Sequence, residues 1–79
     1  GTMANRELRA LRNEAHRNFD QLHKRGLMSK EDAYHWLASI LAAPLGQAHI
    51  GYLGEYYCRQ VIEESKKVLN SQENKIRAS

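Results

Sequence analysis

Cysteine is nearly absent from this chain, since Cys58 is the only one among its 79 residues. A disulfide within the chain is therefore excluded, and so are the cysteine-rich ligand sets that hold structural zinc. No apolar run approaches the roughly 18 residues that a membrane-spanning helix requires. Charged residues at positions 6, 7, 9 and 12 interrupt the start too early for a secretory signal peptide. These absences predict a cytoplasmic protein without a membrane partner.

The remaining composition favours one small, moderately basic domain. Its length corresponds to a single domain, and its formal net charge is +3. Such a charge permits nucleic-acid binding without requiring it, because many small domains carry it for solubility. A core this small supplies little stability, so association with a partner is a common way for such a domain to gain more.

Apolar residues recur every three or four positions along the first third of the chain. This spacing predicts a helix over residues 4–24. Its apolar stripe consists of Leu8, Leu11, Ala15, Phe19 and Leu22. Asn5 is the expected N-cap, with Thr2 as the competitor, and Gly26 is expected to end the helix in a left-handed conformation.

Two further helices follow. The second is expected to begin after Ser29, which precedes two acidic residues of the first turn, and to end before Pro44, the only proline. The third is expected over Glu55–Leu69. Between them, residues 45–54 (the connector) include three glycines, which argues against a continuous helix. One helical turn near 47–49, or a short extended stretch at 49–52, is expected there.

Three amphipathic helices with short connections predict an all-α fold, a compact three-helix bundle with a structured, glycine-containing connector between helices two and three. Residues 1–70 are expected to form this single domain, and residues 71–79 a flexible C-terminal tail. The expected core consists of Leu8, Leu11, Ala15, Phe19, Leu22, Trp36, Leu37, Ile40, Val61 and Ile62.

A series of short strings in this chain is similar to a known family. The strings are the pentapeptide 1–5, Glu7-Leu8-Arg9, Leu11-Arg12, Ala15-His16, Phe19-Asp20, the heptapeptide 31–37, His49-Ile50-Gly51 and the pentapeptide 58–62. On these strings, residues 1–65 resemble the C-terminal helical part of a bacterial and phage family of unknown function that is described as zinc-finger-containing. In that family a cysteine-rich zinc ribbon precedes this part, and the present residues include no such segment. The tripeptide 52–54 also differs from the family's usual one.

No catalytic pattern stands out. Cys58 is expected near the core face of helix three, where a thiol is usually inert. His16 and Asp20 lie one turn apart and His23 shares their face, but a metal site needs three or four converging donors. We therefore expect a non-enzymatic protein with no metal, no cofactor and no small-molecule substrate. His49 is either a recognition residue or, as we favour, a structural pin whose ring bonds to a backbone carbonyl.

Helix one is the candidate nucleic-acid surface. Its candidate binding residues are Arg6, Arg9, Arg12, His16, Arg17, Lys24 and Arg25. Such a row of cations could follow phosphates. Interleaved acids at positions 7, 14 and 20 dilute it, and a charged outer face is also the ordinary state of a surface helix.

A second candidate surface is aromatic and consists of Tyr52, Leu53, Tyr56 and Tyr57. Exposed patches of this kind mark binding sites for a protein partner or a second copy of the chain. Alternatively, these side chains cover the core beneath the connector. The primary expectation is a nucleic-acid-associated accessory domain of a bacterial or phage protein, and the alternative is a protein-interaction or homodimerisation module.

Overall fold

The structure is a computed structural model that describes the backbone of residues 4–78 and the side chains of residues 4–71. Its three α-helices are α1 (Asn5–Lys24), α2 (Lys30–Leu41) and α3 (Glu55–Ala78). Two short 3-10 turns, Leu45–Gln47 and Ile50–Tyr52, shape the connector. The described backbone contains no strand. The predicted all-α bundle with a structured connector is therefore confirmed.

The two ends of α1 differ in how well they were predicted. Ala4 occupies the N-cap position without a side-chain hydrogen bond, and Asn5 is already helical, so the predicted Asn5 cap is wrong. Thr2, the competitor, lies outside the described residues. At the other end Gly26 adopts a positive φ of 74°, as predicted. Its N–H donates to the His23 carbonyl at 3.0 Å, which satisfies one of the free carbonyls of the last turn.

Helix α2 begins as predicted and ends by a device that was not predicted. The Ser29 hydroxyl accepts a 3.0 Å hydrogen bond from the Asp32 N–H, which satisfies a donor of the first turn. The helix ends at Leu41, because Ala42 turns left-handed with φ 51°. Ala42 is the only non-glycine residue with positive φ in the described backbone. The next N–H, of Ala43, donates back to Ala38 at 3.1 Å, which completes a Schellman motif.

The Ala42 conformation costs stability because the methyl group crowds the backbone in the left-handed region. We expect Ala42→Gly to raise the free energy of unfolding by about 0.5–1 kcal/mol, after the added freedom of the unfolded chain is subtracted. Urea unfolding measures the change. The matched control is Ala10→Gly in the exposed middle of α1, which should lower stability by roughly 1 kcal/mol. Destabilisation by both substitutions would contradict the left-handed assignment.

The connector and α3 depart from expectation in detail. Two 3-10 turns lie on either side of Ala48 and His49, instead of one turn at 47–49, and residues 50–52 are helical instead of extended. Helix α3 continues to Ala78, well past the predicted end at Leu69. No helix in the described part of the chain has the length and apolar character needed to cross a membrane.

The core lies mainly between α1 and α3, the two helices in most extensive contact. Of the predicted core, Leu8, Leu11, Trp36 and Ile40 are only half-buried, and the other members are buried. Buried apolar residues that the prediction omitted are Ala33, Leu41, Ala48, Ile50 and Cys58. Ala48 and Ile50 belong to the connector, so the connector is part of the core instead of a loop above it.

Phe19 joins α1 to α2 through its ring. The ring is buried and packs edge-to-face on Tyr34 at a centroid distance of 5.3 Å. It also stacks beside Trp36 at 6.3 Å and lies edge-to-face to His23 at 6.4 Å. Such aromatic pairs contribute beyond the area that they bury, and they fix the relative rotation of the two helices.

Candidate functional site

The cations predicted on helix one are mostly available to solvent. Six of the seven candidates are exposed, and the exception is Arg12. The exposed members are Arg6, Arg9, His16, Arg17, Lys24 and Arg25, which we call the basic face of α1.

The cations of this face differ in whether their charged groups already have partners within the chain. Lys24 and His16 both lie near the Asp20 carboxylate, at 4.0 and 3.7 Å, and so does His23 at 3.6 Å. Arg25 donates through Nε to the Gln21 side-chain oxygen at 3.1 Å. By contrast, the ion pairs formed among residues 4–71 include none of Arg6, Arg9 and Arg17. These three guanidinium groups are the strongest anion-binding candidates of the face.

Arg12 makes a hydrogen bond within the fold instead of lying free in solvent. It is half-buried, and its Nε donates a 2.7 Å hydrogen bond to the Leu53 carbonyl, 41 residues away in sequence. The bond ties α1 to the connector two residues before α3 begins. Because the guanidinium already serves this contact, Arg12 is less available for phosphate than the exposed members of the row.

Cys58 lies against the same carbonyl, with its sulfur 3.8 Å from the Leu53 oxygen. The residue is fully buried. Burial raises the pKa of its thiol, and the positive charge of Arg12 offsets part of that rise. Cys58 therefore lies on the core face of α3, as expected, and a buried thiol with a raised pKa is a poor nucleophile and a poor metal ligand.

The Arg12 bond provides a test of how the connector is held. Arg12→Gln removes the charged donor, and we expect the free energy of unfolding to fall by about 1.5 kcal/mol, as for a hydrogen bond to a charged group. Urea unfolding measures this. The control is Arg17→Gln, whose exposed side chain lies one to two turns further along α1 and should change stability by less than about 0.5 kcal/mol. Equal effects of the two substitutions would mean that the connector is held by other contacts.

The predicted aromatic surface divides into two parts. Tyr56 and Tyr57 are 67% and 41% exposed at the start of α3, with their rings edge-to-face at 5.1 Å. Tyr52 is the most exposed, at 84%, and its ring instead stands edge-to-face to His49 at 6.0 Å. Leu53 is half-buried. Tyr52 therefore belongs with His49, separately from the pair on α3.

His49 makes the kind of contact that was expected of a structural pin. Its Nε2 lies 3.0 Å from the Gly46 carbonyl oxygen, so a protonated Nε2 donates to it. This contact links the side chain of His49, whose backbone is extended, to the first 3-10 turn of the connector. The rest of the ring is exposed and turned toward Tyr52, so the pin also contributes an aromatic surface.

A cleft of about 460 Å³ opens between α1, α2 and the connector. Its apolar floor consists of Phe19, Leu37, Ala48 and Ile50. Its rim carries the rings of His16, Tyr34, His49 and Tyr52. No spacing pattern in the sequence relates His16 to His49, because the connector brings the two residues to one cleft only in the folded chain.

The donor atoms of the described side chains do not form a metal site. No group of three His, Cys, Asp or Glu residues among them converges closely enough to hold an ion. His16, Asp20 and His23 come nearest by their shared face of α1, but the contacts link each histidine to the one carboxylate.

No curated protein and no solved structure matches this chain in a sequence or fold comparison. A family model, described as a zinc-finger-containing domain, does match residues 1–68. That description implies a zinc ion held by cysteine and histidine side chains. The described residues do not supply such a donor set, because they include a single, buried cysteine and no converging group of three donors. The match covers most of the chain, and the chain belongs to the zinc-finger-containing domain family.

Proposed function

We propose that this domain is a non-enzymatic module that binds nucleic acid through the basic face of α1. The observation that carries the proposal is the trio Arg6, Arg9 and Arg17, which is exposed and takes part in no ion pair among residues 4–71. Over these positions the helix rises about 17 Å, a length that matches several phosphates of a single strand.

The charge balance along α1 supports this proposal. The Asp20 carboxylate lies 4.0 Å from the Lys24 ammonium, which offsets part of its repulsion of a phosphate, and the rings of His16 and His23 lie beside it. Glu14 is half-buried and lines a groove beside α3 instead, where Arg59 and Lys66 also lie. The acids that dilute the row in sequence are thus partly separated from it in space.

The family membership supports a role beside another nucleic-acid-binding element. We propose that these residues correspond to the helical C-terminal part of a bacterial or phage protein of the family and work in the cytoplasm as an accessory to its zinc ribbon. Zinc ribbons often contact nucleic acid, and a neighbouring basic helix would add phosphate contacts without adding base specificity.

Charge reversal tests the proposal. We expect the double substitution Arg9→Glu and Arg17→Glu to weaken binding to labelled DNA or RNA at least tenfold at low salt, because two phosphate contacts become repulsive. Fluorescence polarisation at several salt concentrations should also show the log–log salt slope falling by about 2.

The matched control reverses the same amount of charge on another helix. Lys66→Glu with Lys67→Glu changes two exposed cations of α3 and should leave the salt slope of the wild type nearly unchanged. Equal losses of nucleic-acid affinity in both double variants would mean that the effect depends on net charge alone and not on the basic face. If the wild-type domain at micromolar concentration shows no salt-sensitive binding to single- or double-stranded DNA or RNA, the proposal is wrong.

A second candidate function is self-association or protein binding through Tyr56 and Tyr57. The supporting observation is their exposed edge-to-face pair at the beginning of α3, a position where two large aromatic side chains contribute little to the core. Aromatic side chains are enriched at interfaces because they bury a large area at a small cost in entropy.

Light scattering tests the self-association form of this candidate. We expect the apparent mass to rise above the 9.1 kDa of one chain as the concentration goes from micromolar to millimolar. Tyr56→Ser with Tyr57→Ser should abolish the rise, while Tyr52→Ser should leave it in place. A mass that stays at one chain over the whole range would rule out the homodimer.

A further inference from the structure

The cleft between α1, α2 and the connector has the features of a site for a flat ring. Its volume of about 460 Å³ falls within the range of small-ligand sites. Buried Phe19 and Ile50 give it an apolar floor, and aromatic rings supply its rim. A planar heterocycle would find apolar surface beneath it and ring faces or edges at its sides.

We propose that this cleft binds one unstacked nucleobase of a single-stranded nucleic acid. The proposal deepens the proposed function and rests on it, since the strand that places a base here is the one whose phosphates the basic face would hold. Tyr52 would be the principal stacking platform, because its ring is 84% exposed and lies on the rim. Bases stack on such aromatic rings without regard to sequence.

The arrangement of His49 and Tyr52 favours a flat ligand. Their rings stand at 83° to each other with centroids 6.0 Å apart. A base that stacks parallel to one ring would therefore stand nearly perpendicular to the other. The contact from His49 to the Gly46 carbonyl holds the histidine side of this corner in place before a ligand arrives.

Charge complementarity points to a nucleotide strand as the occupant. His16 belongs both to the rim of the cleft and to the basic face of α1. Arg9 lies seven residues before His16, two helical turns away on the same side of α1. A strand that crosses this part of the helix could therefore set a phosphate at Arg9 and the base of a neighbouring nucleotide in the cleft.

The strand must be single because the bases of a duplex are stacked and paired. Placing a duplex base in the cleft would require its extrusion, which costs a few kcal/mol that a small module does not recover easily. An aromatic side chain of a partner peptide also fits such a cleft in shape, but a cleft of that function would not make the wild type prefer a base-bearing strand over an abasic one.

The test compares Tyr52→Ala with His35→Ala in binding to short single strands. Tyr52 lies on the rim, while His35 is an exposed ring of α2 outside the cleft, so both variants should fold. We expect Tyr52→Ala to weaken binding to a labelled single-stranded DNA or RNA at least fivefold, the lower end of the loss seen when a stacking platform is removed. His35→Ala should change binding less than twofold, and duplex binding should be equal in both variants.

An abasic strand of the same length provides the second arm, because it keeps the phosphates and lacks the bases. The wild type should bind it less tightly than the base-bearing strand, and Tyr52→Ala should bind the two strands equally. If the wild type binds both strands equally while the double substitution at Arg9 and Arg17 still weakens binding, the cleft proposal is wrong and the phosphate proposal stands. If the wild type binds no strand, both proposals fail.

Discussion

The hydrogen bond from Arg12 to the Leu53 carbonyl is the contact on which the arrangement of the connector depends. It links the middle of α1 to Leu53, two residues before the start of α3, across 41 positions of sequence. Because Leu53 follows the second 3-10 turn directly, fixing its carbonyl also fixes Ile50 over the core, where its side chain is buried. A charged donor makes this a strong hydrogen bond, and its partial burial limits competition from water.

The same contact shapes both candidate surfaces. It withdraws Arg12 from the row of cations on α1, which leaves Arg6, Arg9 and Arg17 as the strongest anion-binding candidates of the row. It also holds the connector close enough to α1 for His49 and Tyr52 to face His16 across a cleft. The phosphate-binding candidate and the base-binding candidate therefore meet at one residue, His16, which belongs to the helix and to the rim.

The family's description and the chemistry of this bundle diverge. A zinc-finger-containing domain is expected to gain stability from a metal, but the described part of this chain is organised around apolar packing between α1 and α3, with the Phe19 aromatic cluster joining α2. One polar group interrupts that core. The Ser65 hydroxyl is fully buried and finds no hydrogen-bond partner, a desolvation cost that the surrounding apolar contacts must offset.

The sequence by itself determined the helices, because helix formation follows from local periodicity and local hydrogen bonds. Each of three features could be predicted from residues that are close together in the sequence. These features are the apolar stripe from Leu8 to Leu22, the Ser29 cap and the left-handed Gly26. The exposed arginines were predicted for the same reason, since they lie opposite that stripe. Ala42 was missed because alanine carries no signal for the left-handed conformation that ends α2.

Only the tertiary structure decided what the connector does. The burial of Ala48 and Ile50 in the core, the bond from Arg12 to Leu53 and the cleft that His16 and His49 both line bring together residues that are far apart in sequence. Such contacts depend on how the three helices are rotated and spaced, a balance of packing over the whole core that no local pattern encodes. The candidate cations could thus be predicted from residue spacing along one helix, whereas the cleft beside them forms only when the three helices and the connector pack together.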